Sequence, residues 1–361
     1  MQFTRQKKPS DVVGLEIEAG SVAAAEVRVN GTARLGAVAV EQLAPGVFRD
    51  GEVVDGDALG KALKSLFAQH KLSKRVRLGI GNQGVLVRTV RLPAIEDPKE
   101  LDAAVRFQAQ EQMPMPLDQA VLEHQVVGGV PAEEGAPPQI DVVLIAARRQ
   151  MIASFLEPMR RAGLEPVGVD LSAFGMIRAL ADGIADAPVA EGELRRPAVA
   201  VLYCSVGDVT NLAVARGRSC LFTRASHAGF GPVAEGLAKS RGLSDEHARM
   251  WLEHVGVETP VEQIEGDPEI VAASRQALEA GIAAVIDELR LSLDYYGAQE
   301  AAVPIEQIVL CGPGSTISGV AARMEAGLGL PIQAIRPQAL SGLDARSAAR
   351  LTLPFGLALE R

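Results

Sequence analysis

The chain contains the same order of short segments twice. Each copy has a strand-like apolar segment, a turn of small residues, a second strand, a hairpin that contains glycine, and a third strand. The predicted strands are residues 12–17, 22–29 and 33–40 in the first copy and residues 198–203, 210–215 and 219–225 in the second. Helix-like segments follow each copy. The repeat predicts a duplicated α/β architecture of two lobes with a cleft between them.

A glycine turn near the C-terminus indicates what the cleft could hold. An apolar run at 308–311 stops at Gly312-Pro-Gly314, and Ser315 is then expected to cap a helix. Glycine lets the backbone approach a flat or anionic ligand, and a helix N-terminus attracts negative charge. The stretch 306–318 therefore suggests a nucleotide-type cleft. The alternative is an ordinary helix-entry turn of an α/β domain.

Composition limits the classes of function. The hydrophobic fraction of 48% with only 4% aromatic residues favours helices packed on sheets, and the net charge of −9 argues against nucleic-acid binding. Cys204, Cys220 and Cys311 lie in apolar runs without zinc-site spacing, which suits a reducing compartment. No apolar run is long enough to span a bilayer. We therefore expect a cytoplasmic protein that reaches the membrane only through a partner.

A stiff apolar segment follows a predicted helix in the first half. The helix is expected at 101–112 after Asp97-Pro98, and Met113-Pro-Met-Pro-Leu117 then ends it. That segment is either a linker or a surface for a partner peptide. Three further segments are interpreted as non-core: a basic leader with Arg5, Lys7 and Lys8, a loop at 130–139, and a boundary between lobes at 181–197.

Several motifs, taken in order, resemble one family. They are Val13-Gly-Leu-Glu-Ile17, Val85-Leu-Val-Arg-Thr-Val-Arg-Leu-Pro93, Phe107-Gln-Ala-Gln-Glu-Gln-Met-Pro-Met-Pro-Leu117, Val169-Asp-Leu-Ser-Ala-Phe174, Thr210-Asn-Leu-Ala-Val214, Leu221-Phe-Thr-Arg224 and Leu289-Arg-Leu-Ser-Leu-Asp-Tyr-Tyr296. Together they resemble the type IV pilus assembly protein PilM family, in the FtsA-like branch of the actin-like ATPase superfamily. The resemblance runs from about residue 11 to residue 361.

The resemblance implies an α/β, actin-like ATPase fold with two duplicated lobes, an interlobe cleft and a small subdomain inserted in the first lobe. The expected division is residues 11–75, 163–196 and 343–361 for the first lobe, 76–162 for the inserted subdomain, 197–234 and 297–342 for the second lobe, and 235–296 for a helical subdomain.

The resemblance also implies a scaffold or adaptor of the pilus assembly platform at the inner membrane. Its expected partner is the N-terminal cytoplasmic tail of PilN, bound near a groove between the inserted subdomain and the first lobe. The candidate partner-binding residues are Phe107, Gln108, Gln112, Met113, Met115 and Leu117. The long C-terminal helices are candidates for a second contact, either with pilus motor components or with another copy of the chain.

The family further implies a nucleotide, ATP with Mg²⁺, in the cleft. The candidate residues are Glu16, Gly20, Ser21, Gly207, Asp208, Glu235, Lys239, Gly312, Gly314 and Ser315. Three departures from the family pattern weaken this expectation. Glu18 replaces a glycine of the first turn, and Ala23 replaces a lysine. The Asp-x-Gly of the second turn is replaced by Cys204-Ser-Val206, although Gly207 and Asp208 could substitute if the turn is shifted. A carboxylate repels polyphosphate, so we expect weak or no ATP binding and at most very slow hydrolysis.

Other interpretations stay open from the sequence. Glu16, Glu18 and Asp208 could form an acid/base set in a different cleft enzyme, although no recognisable nucleophile accompanies them. The chain could also be an FtsA-like or type II secretion adaptor of the same fold, or an actin-like ATPase of low activity. The five histidines are scattered and predict no metal site.

Overall fold

The computed structural model describes residues 11–30, 32–113, 115–130, 137–184, 200–299 and 302–359. The predicted basic leader, most of the predicted loop at 130–139 and most of the predicted boundary at 181–197 lie outside the described residues.

The helices and strands follow the sequence pattern closely. The strands are β1 (Val12–Ile17), β2 (Ser21–Asn30), β3 (Thr32–Gln42), β4 (Phe48–Arg49), β5 (Glu52–Val53), β6 (Arg75–Ile80), β7 (Val85–Pro93), β8 (Ala120–Val130), β9 (Gln139–Arg148), β10 (Glu165–Leu171), β11 (Ala200–Val206), β12 (Thr210–Arg216), β13 (Ser219–Ser226), β14 (Ile305–Cys311) and β15 (Ile332–Ala334). The helices are α1 (Gly56–Gln69), α2 (Pro98–Gln112), α3 (Arg149–Arg161), α4 (Ser172–Leu180), α5 (Phe230–Arg241), α6 (Asp245–Val255), α7 (Pro268–Gly297), α8 (Val320–Leu328) and α9 (Ala345–Ala358).

Two five-stranded sheets repeat one topology. Their strand orders are β10-β6-β1-β2-β3 and β15-β14-β11-β12-β13. In each sheet, three antiparallel strands form a meander, and the first of them pairs on its free edge with a parallel strand. A second parallel strand then completes the sheet. The predicted duplication is therefore confirmed. We call the β1 sheet with α1, α3, α4 and α9 the first lobe, and the β11 sheet with α5 to α8 the second lobe.

The two lobes share a core. Residues on one face of the β11 sheet, such as Tyr203 and Ala213, belong to the same buried cluster as Leu15 of β1. Helix α4 contacts both sheets and packs along α9. The opposite face of the β11 sheet packs against α5 to α8 around Leu202 and Val214. The lobes are thus joined through buried apolar surface, which positions their facing turns.

Close packing of α9 requires glycine. A Cβ on Gly356 would overlap the carbonyl oxygen of Gly175 in α4, and a Cβ on Gly14 of β1 would overlap the carbonyl oxygen of Pro354. These glycines let α9 lie against both α4 and β1, which also fixes Arg350 of α9 at the cleft.

A separate three-stranded sheet, β7-β9-β8, carries α2 on one face. Val105 and Ala109 of α2 pack there against Val90 and Leu144. Val87 and neighbouring side chains of the opposite face pack towards the first lobe. We call β7 to β9 with α2 the inserted subdomain.

The structure refines the limits expected for this subdomain. The expected range of 76–162 includes β6 and α3, but β6 lies between β1 and β10 in the first sheet, and α3 packs on α1 and β10. Strand β8 was not predicted, because the polar pair Glu123-His124 and the pair Gly128-Gly129 interrupt its apolar pattern. The other domain limits stay predictions.

The packing of α9 predicts that an added methyl group lowers the stability of the protein only at a glycine that has no space for it. Gly356→Ala should lower the free energy of unfolding by about 1–3 kcal/mol, because the methyl group has no space. Gly236→Ala is the matched control: Gly236 also lies in a helix, with nothing near the added Cβ, so it should stabilise by about 0.5–1 kcal/mol. Urea unfolding of both variants checks this. Equal effects of the two substitutions would refute the packing argument.

Candidate interlobe site

Two turns face each other across the cleft, and each bonds to a carboxylate of the other. The first turn joins β1 to β2, and the second joins β11 to β12. The backbone N–H of Gly20 donates to Asp208 Oδ2 over 3.1 Å, and the backbone N–H of Asp208 donates to Glu18 Oε1 over 3.3 Å. We call this pair of hydrogen bonds the carboxylate exchange. It satisfies the N–H groups that would otherwise point at a ligand.

The exchange also fills the space left by a glycine. A Cβ on Gly207 would overlap Glu18 Oε1, so the carboxylate of Glu18 lies directly against this backbone. A Cβ on Gly20 would lie 3.1 Å from the guanidinium of Arg249. Both small-residue turns are therefore covered by side chains of the protein itself.

One arginine pairs with a carboxylate of the exchange, and a second contacts the first turn. Arg249 of α6 forms an ion pair with Asp208, and its Nε donates to Asp245 Oδ2 over 3.0 Å. Arg350 of α9 donates to the hydroxyl oxygen of Ser21 over 2.6 Å. One arginine comes from each lobe.

Burial changes the titration of the two glutamates at this site. Burial, with the nearby charge of Asp208, raises the pKa of Glu18 to about 7, although Arg350 acts in the opposite direction. Burial and the charge of Glu18 raise the pKa of Glu16 well above its ordinary value. Protonation of Glu18 is therefore sensitive to pH near neutrality.

The turns form one end of a cavity of about 340 Å³. Both lobes line it: Phe48 and Phe155 come from the first lobe, and Asn211 comes from β12 of the second lobe. Glu235 and Lys239 of α5 also line it and form an ion pair with each other at 2.7 Å. The predicted residues Glu16 and Asp208 lie at its acidic end.

The expectation that Ser315 caps a helix is wrong. Pro313–Thr316 form a single 3₁₀ turn, and α8 begins only at Val320 after Gly319. The Ser315 hydroxyl donates to the carbonyl oxygen of Gly312 instead. Gly319, the residue before α8, has φ of +79°, a conformation that glycine adopts readily.

Gly312 and Gly314 are required by contacts within the protein. A Cβ on Gly312 would lie 2.5 Å from Ser205 Oγ, and one on Gly314 would lie 2.8 Å from the ring of Phe230. These glycines border two small cavities, of about 10 and about 30 Å³, that reach Glu18 and Arg350. Neither of these two glycines lines the large cavity.

The structure thus brings most of the predicted cleft residues together. Five of them lie around the exchange: Glu16, Gly20, Ser21, Gly207 and Asp208. The large cavity is also lined by Glu235 and Lys239, and the small cavities are bordered by Gly312 and Gly314. Ser315 lines none of these three cavities. Their role in nucleotide binding stays a prediction.

The sequence model of the family described as "Type IV pilus assembly protein PilM" matches residues 14–360. The match covers nearly the whole chain. The chain belongs to the type IV pilus assembly protein PilM family.

Solved structures show the same fold. The structure described as "PilM-PilN type IV pilus biogenesis complex" is similar with a TM-score of 0.77 at 24% identity, over 97% of this chain and 98% of that chain. MreB 5 of Spiroplasma citri bound to AMPPNP has a TM-score of 0.54 at 12% identity, over 97% and 95%. The ethanolamine utilization protein EutJ from Carboxydothermus hydrogenoformans has a TM-score of 0.53 at 13% identity, over 98% and 90%. The predicted actin-like ATPase fold is confirmed.

Sequence reasoning missed two arginines of this PilM-family site, Arg249 and Arg350. Arg249 and Asp245 are four residues apart on α6, a spacing that could have suggested their pairing on one helix face. Arg350 had no local signal, because it reaches Ser21 only through the packing of α9 on β1 and β2. Glu18 was recognised as a departure from the family pattern and as a member of a possible acid/base set, but not as the partner of the Asp208 amide.

The predicted partner-binding residues divide into two groups. Phe107, Gln108 and Gln112 lie on α2, and the side chain of Phe107 is 60% exposed. Met113 is only 5% exposed, and Met115 and Leu117 pack against the core of the inserted subdomain. Helix α2 lies on the sheet face opposite to the one that packs towards the first lobe. The binding role of these residues stays a prediction.

Within the described residues, no helix is both long and apolar enough to cross a bilayer. Over the same parts of the chain, no group of three or more histidine, cysteine or acidic side chains is arranged to hold a metal ion.

The raised pKa of Glu18 predicts a pH-dependent stability. Because the pKa in the folded chain is about 7 and the ordinary value is 4.5, protonated Glu18 stabilises the fold below about pH 4.5, and this contribution is lost as pH rises through 7. Glu18→Gln keeps the acceptor oxygen without the charge. The unfolding free energy of the unchanged protein should therefore fall relative to that of Glu18→Gln between about pH 5 and 8.

Denaturant unfolding across this pH range measures the difference. Glu262→Gln, at an exposed position, is the matched control and should follow the unchanged protein. Parallel pH profiles for all three proteins would contradict the assignment of a buried, titrating Glu18.

Proposed function

We propose that this chain is a scaffold of the type IV pilus assembly platform that binds the N-terminal cytoplasmic tail of PilN. The observation that carries the proposal is the family match over residues 14–360. Structural similarity over almost the full length of both chains to a PilM-PilN complex supports it. In this proposal the protein acts on the cytoplasmic side of the inner membrane and reaches the membrane through PilN.

The inserted subdomain supplies a surface for the tail. Phe107 is among the most exposed large apolar side chains of the described residues, and Gln108 and Gln112 offer hydrogen-bonding groups on the same helix. Met113, Met115 and Leu117 support that surface from below, since they pack in the core under α2. An exposed aromatic anchor beside polar groups is typical of a peptide-binding surface.

Ordering of the tail limits its affinity. A disordered segment that folds on binding loses conformational entropy, which offsets part of the contact free energy. We therefore expect binding in the micromolar range. The long helix α7 offers a second contact for the pilus motor or another copy of the chain, through exposed Leu291 and Tyr295.

Nucleotide binding in the cleft is proposed to be weak and not to be required for tail binding. The amides of Gly20 and Asp208 already donate to carboxylates, and Glu18 covers Gly207. A polyphosphate placed there would meet three acidic side chains, Glu16, Glu18 and Asp208. The fold itself does not prevent nucleotide binding, since MreB 5 shares it with AMPPNP bound. These residues do not fit ATP with Mg²⁺, and we assign no catalytic step to them.

Calorimetric titration with a synthetic peptide of the cognate PilN tail tests the proposal. Micromolar binding is expected without nucleotide, and added Mg-ATP should leave the affinity unchanged. Phe107→Glu should weaken binding about tenfold or more, because it removes the apolar anchor.

Leu291→Glu is the matched control. Leu291 has the same exposed fraction of 60% as Phe107 but lies on α7 in the second lobe, so tail affinity should not change. Absence of binding both with and without Mg-ATP would refute the scaffold function. Equal affinities of the two variants would refute the docking surface on α2.

A further inference from the structure

Lysine is distributed very unevenly along this chain. Only eight of the 36 lysine and arginine residues are lysine, and four of those eight lie within residues 61–74. They are Lys61, Lys64, Lys71 and Lys74, and all four are exposed. We call them the lysine patch. Residues 56–75 contain five basic side chains and one acidic side chain, although the whole chain has a net charge of −9. The first lobe therefore has a local positive surface on an acidic protein.

Helix α1 and the connection that follows it present the patch on the outside of the first lobe. Lys61 and Lys64 are three residues apart on the exposed side of α1, whose other side is buried through its leucines. Lys71 and Lys74 lie between α1 and β6. The carbonyl oxygen of Lys74 accepts a hydrogen bond of 2.7 Å from the backbone N–H of Glu165, which holds this connection to the start of β10. The four charges are thus carried by well-packed elements of one lobe.

The charges of the patch are not neutralised within the protein. Within the described residues, none of the four lysines forms an ion pair. Acidic side chains nearby have other partners: Asp57 of α1 pairs with Arg161 of α3, and Glu26 accepts a hydrogen bond of 2.8 Å from the backbone N–H of Ser73. The four ammonium groups are therefore available to an external anionic partner.

The patch offers neither a pocket nor an apolar anchor. None of its four lysines lines the large cavity or the two small cavities of the interlobe site. Within residues 56–75, no large apolar side chain is exposed. Small ligands usually need a pocket, and peptides usually need an apolar anchor. An extended anionic surface needs neither, because basic side chains are attracted to it by charge alone.

The basic leader joins the described chain beside the patch. The hydroxyl of Ser73 donates to the carbonyl oxygen of Asp11 over 3.2 Å, so Asp11 lies next to the connection that carries Lys71 and Lys74. Arg5, Lys7 and Lys8 precede Asp11 in the sequence. Six of the eight lysines of the chain are therefore either in the patch or attached to the chain beside it.

We propose that the lysine patch contacts the anionic headgroups of a phospholipid membrane. Clusters of four or more basic residues bind such surfaces, and each residue strengthens binding by about fivefold. The inference rests on the proposed function, because that function places the chain at the inner face of the membrane. It adds a direct contact to the one made through PilN.

The two contacts would act together. Four lysines alone give weak binding, but a chain already held by PilN meets the membrane at a high effective concentration. The contact would also orient the molecule. Residues 256–270 of the second lobe contain five acidic side chains and no basic one, so an anionic membrane repels that side and attracts the first lobe.

Sedimentation of the full chain with lipid vesicles tests the proposal. Vesicles of phosphatidylcholine with about 40% phosphatidylglycerol are the anionic probe, and pure phosphatidylcholine vesicles are the neutral comparison. At about 0.05 M salt the protein should bind the neutral vesicles at least about tenfold more weakly than the anionic ones. At about 0.5 M salt it should leave the anionic vesicles, because the salt screens the charges.

A double variant locates the contact. Lys61→Gln with Lys64→Gln should weaken binding to the anionic vesicles by about 25-fold, since two charges are lost. Lys99→Gln with Arg323→Gln is the matched control, because it removes the same charge from exposed positions on α2 and α8. The control should bind the vesicles as the unchanged protein does. Far-ultraviolet circular dichroism checks that both double variants are folded.

An acidic polypeptide is the competing occupant, and poly-glutamate is its probe. Displacement of the protein from the anionic vesicles by an equal concentration of glutamate charge would overturn the inference in favour of an acidic protein partner. No binding to the anionic vesicles, equal binding to the neutral ones, or equal effects of the two double variants would also overturn it.

The result is separable from that of the PilN-tail titration. Lys61→Gln with Lys64→Gln should leave tail affinity unchanged, because the patch and α2 lie on different subdomains. Tail binding without vesicle binding would leave the scaffold function intact and remove only the direct membrane contact. Vesicle binding without tail binding would refute the scaffold function and leave the charge contact standing.

Discussion

The carboxylate exchange between the two turns is the interaction on which this account of the cleft depends. Glu18 accepts a hydrogen bond from the second turn, and Asp208 accepts one from the first. Here the chain fills these turns with its own acidic side chains. Arg249 pairs with Asp208, and Arg350 donates to the hydroxyl oxygen of Ser21 in the first turn. The result is a closed inner end and an acidic cavity in front of it. Such an arrangement suits a binding scaffold better than a phosphoryl-transfer enzyme.

Much of the fold could be predicted because local pattern and tertiary structure agree. The two meanders have short apolar strands and small-residue turns, so β1 to β3 and β11 to β13 were located to within a few residues. The predictions from sequence fail where contacts with distant parts of the chain decide the local structure. Strand β8 has a weak pattern of its own and is ordered by its pairing with β9. The helix expected directly after Gly314 begins at Val320, because the glycines there serve close contacts with Ser205 and Phe230.

The site was predictable in part for the same reason. Residues within the turns, such as Gly20 and Asp208, carry a local signal, and they do meet across the cleft. Arg249 and Arg350 are distant in sequence from the groups that they contact, and one sequence contains nothing that relates α9 to the β1–β2 turn. The partner surface is still a prediction, but the structure shows how its residues differ in exposure. Met113 is buried and Met115 is partly buried in the core of the inserted subdomain, because apolar side chains are drawn into the nearest core. Phe107 is exposed on α2.

A crystal structure of the protein grown with Mg-AMPPNP near neutral pH would test the central claim most directly. The account predicts that the hydrogen bonds from Gly20 to Asp208 and from Asp208 to Glu18 persist, with no triphosphate between the turns. A triphosphate bound to the amides of Gly20 and Asp208, with Glu18 displaced from Gly207, would contradict it. In that case the acidic turns would be a gate that nucleotide can open, and the protein would belong with the nucleotide-binding members of its fold.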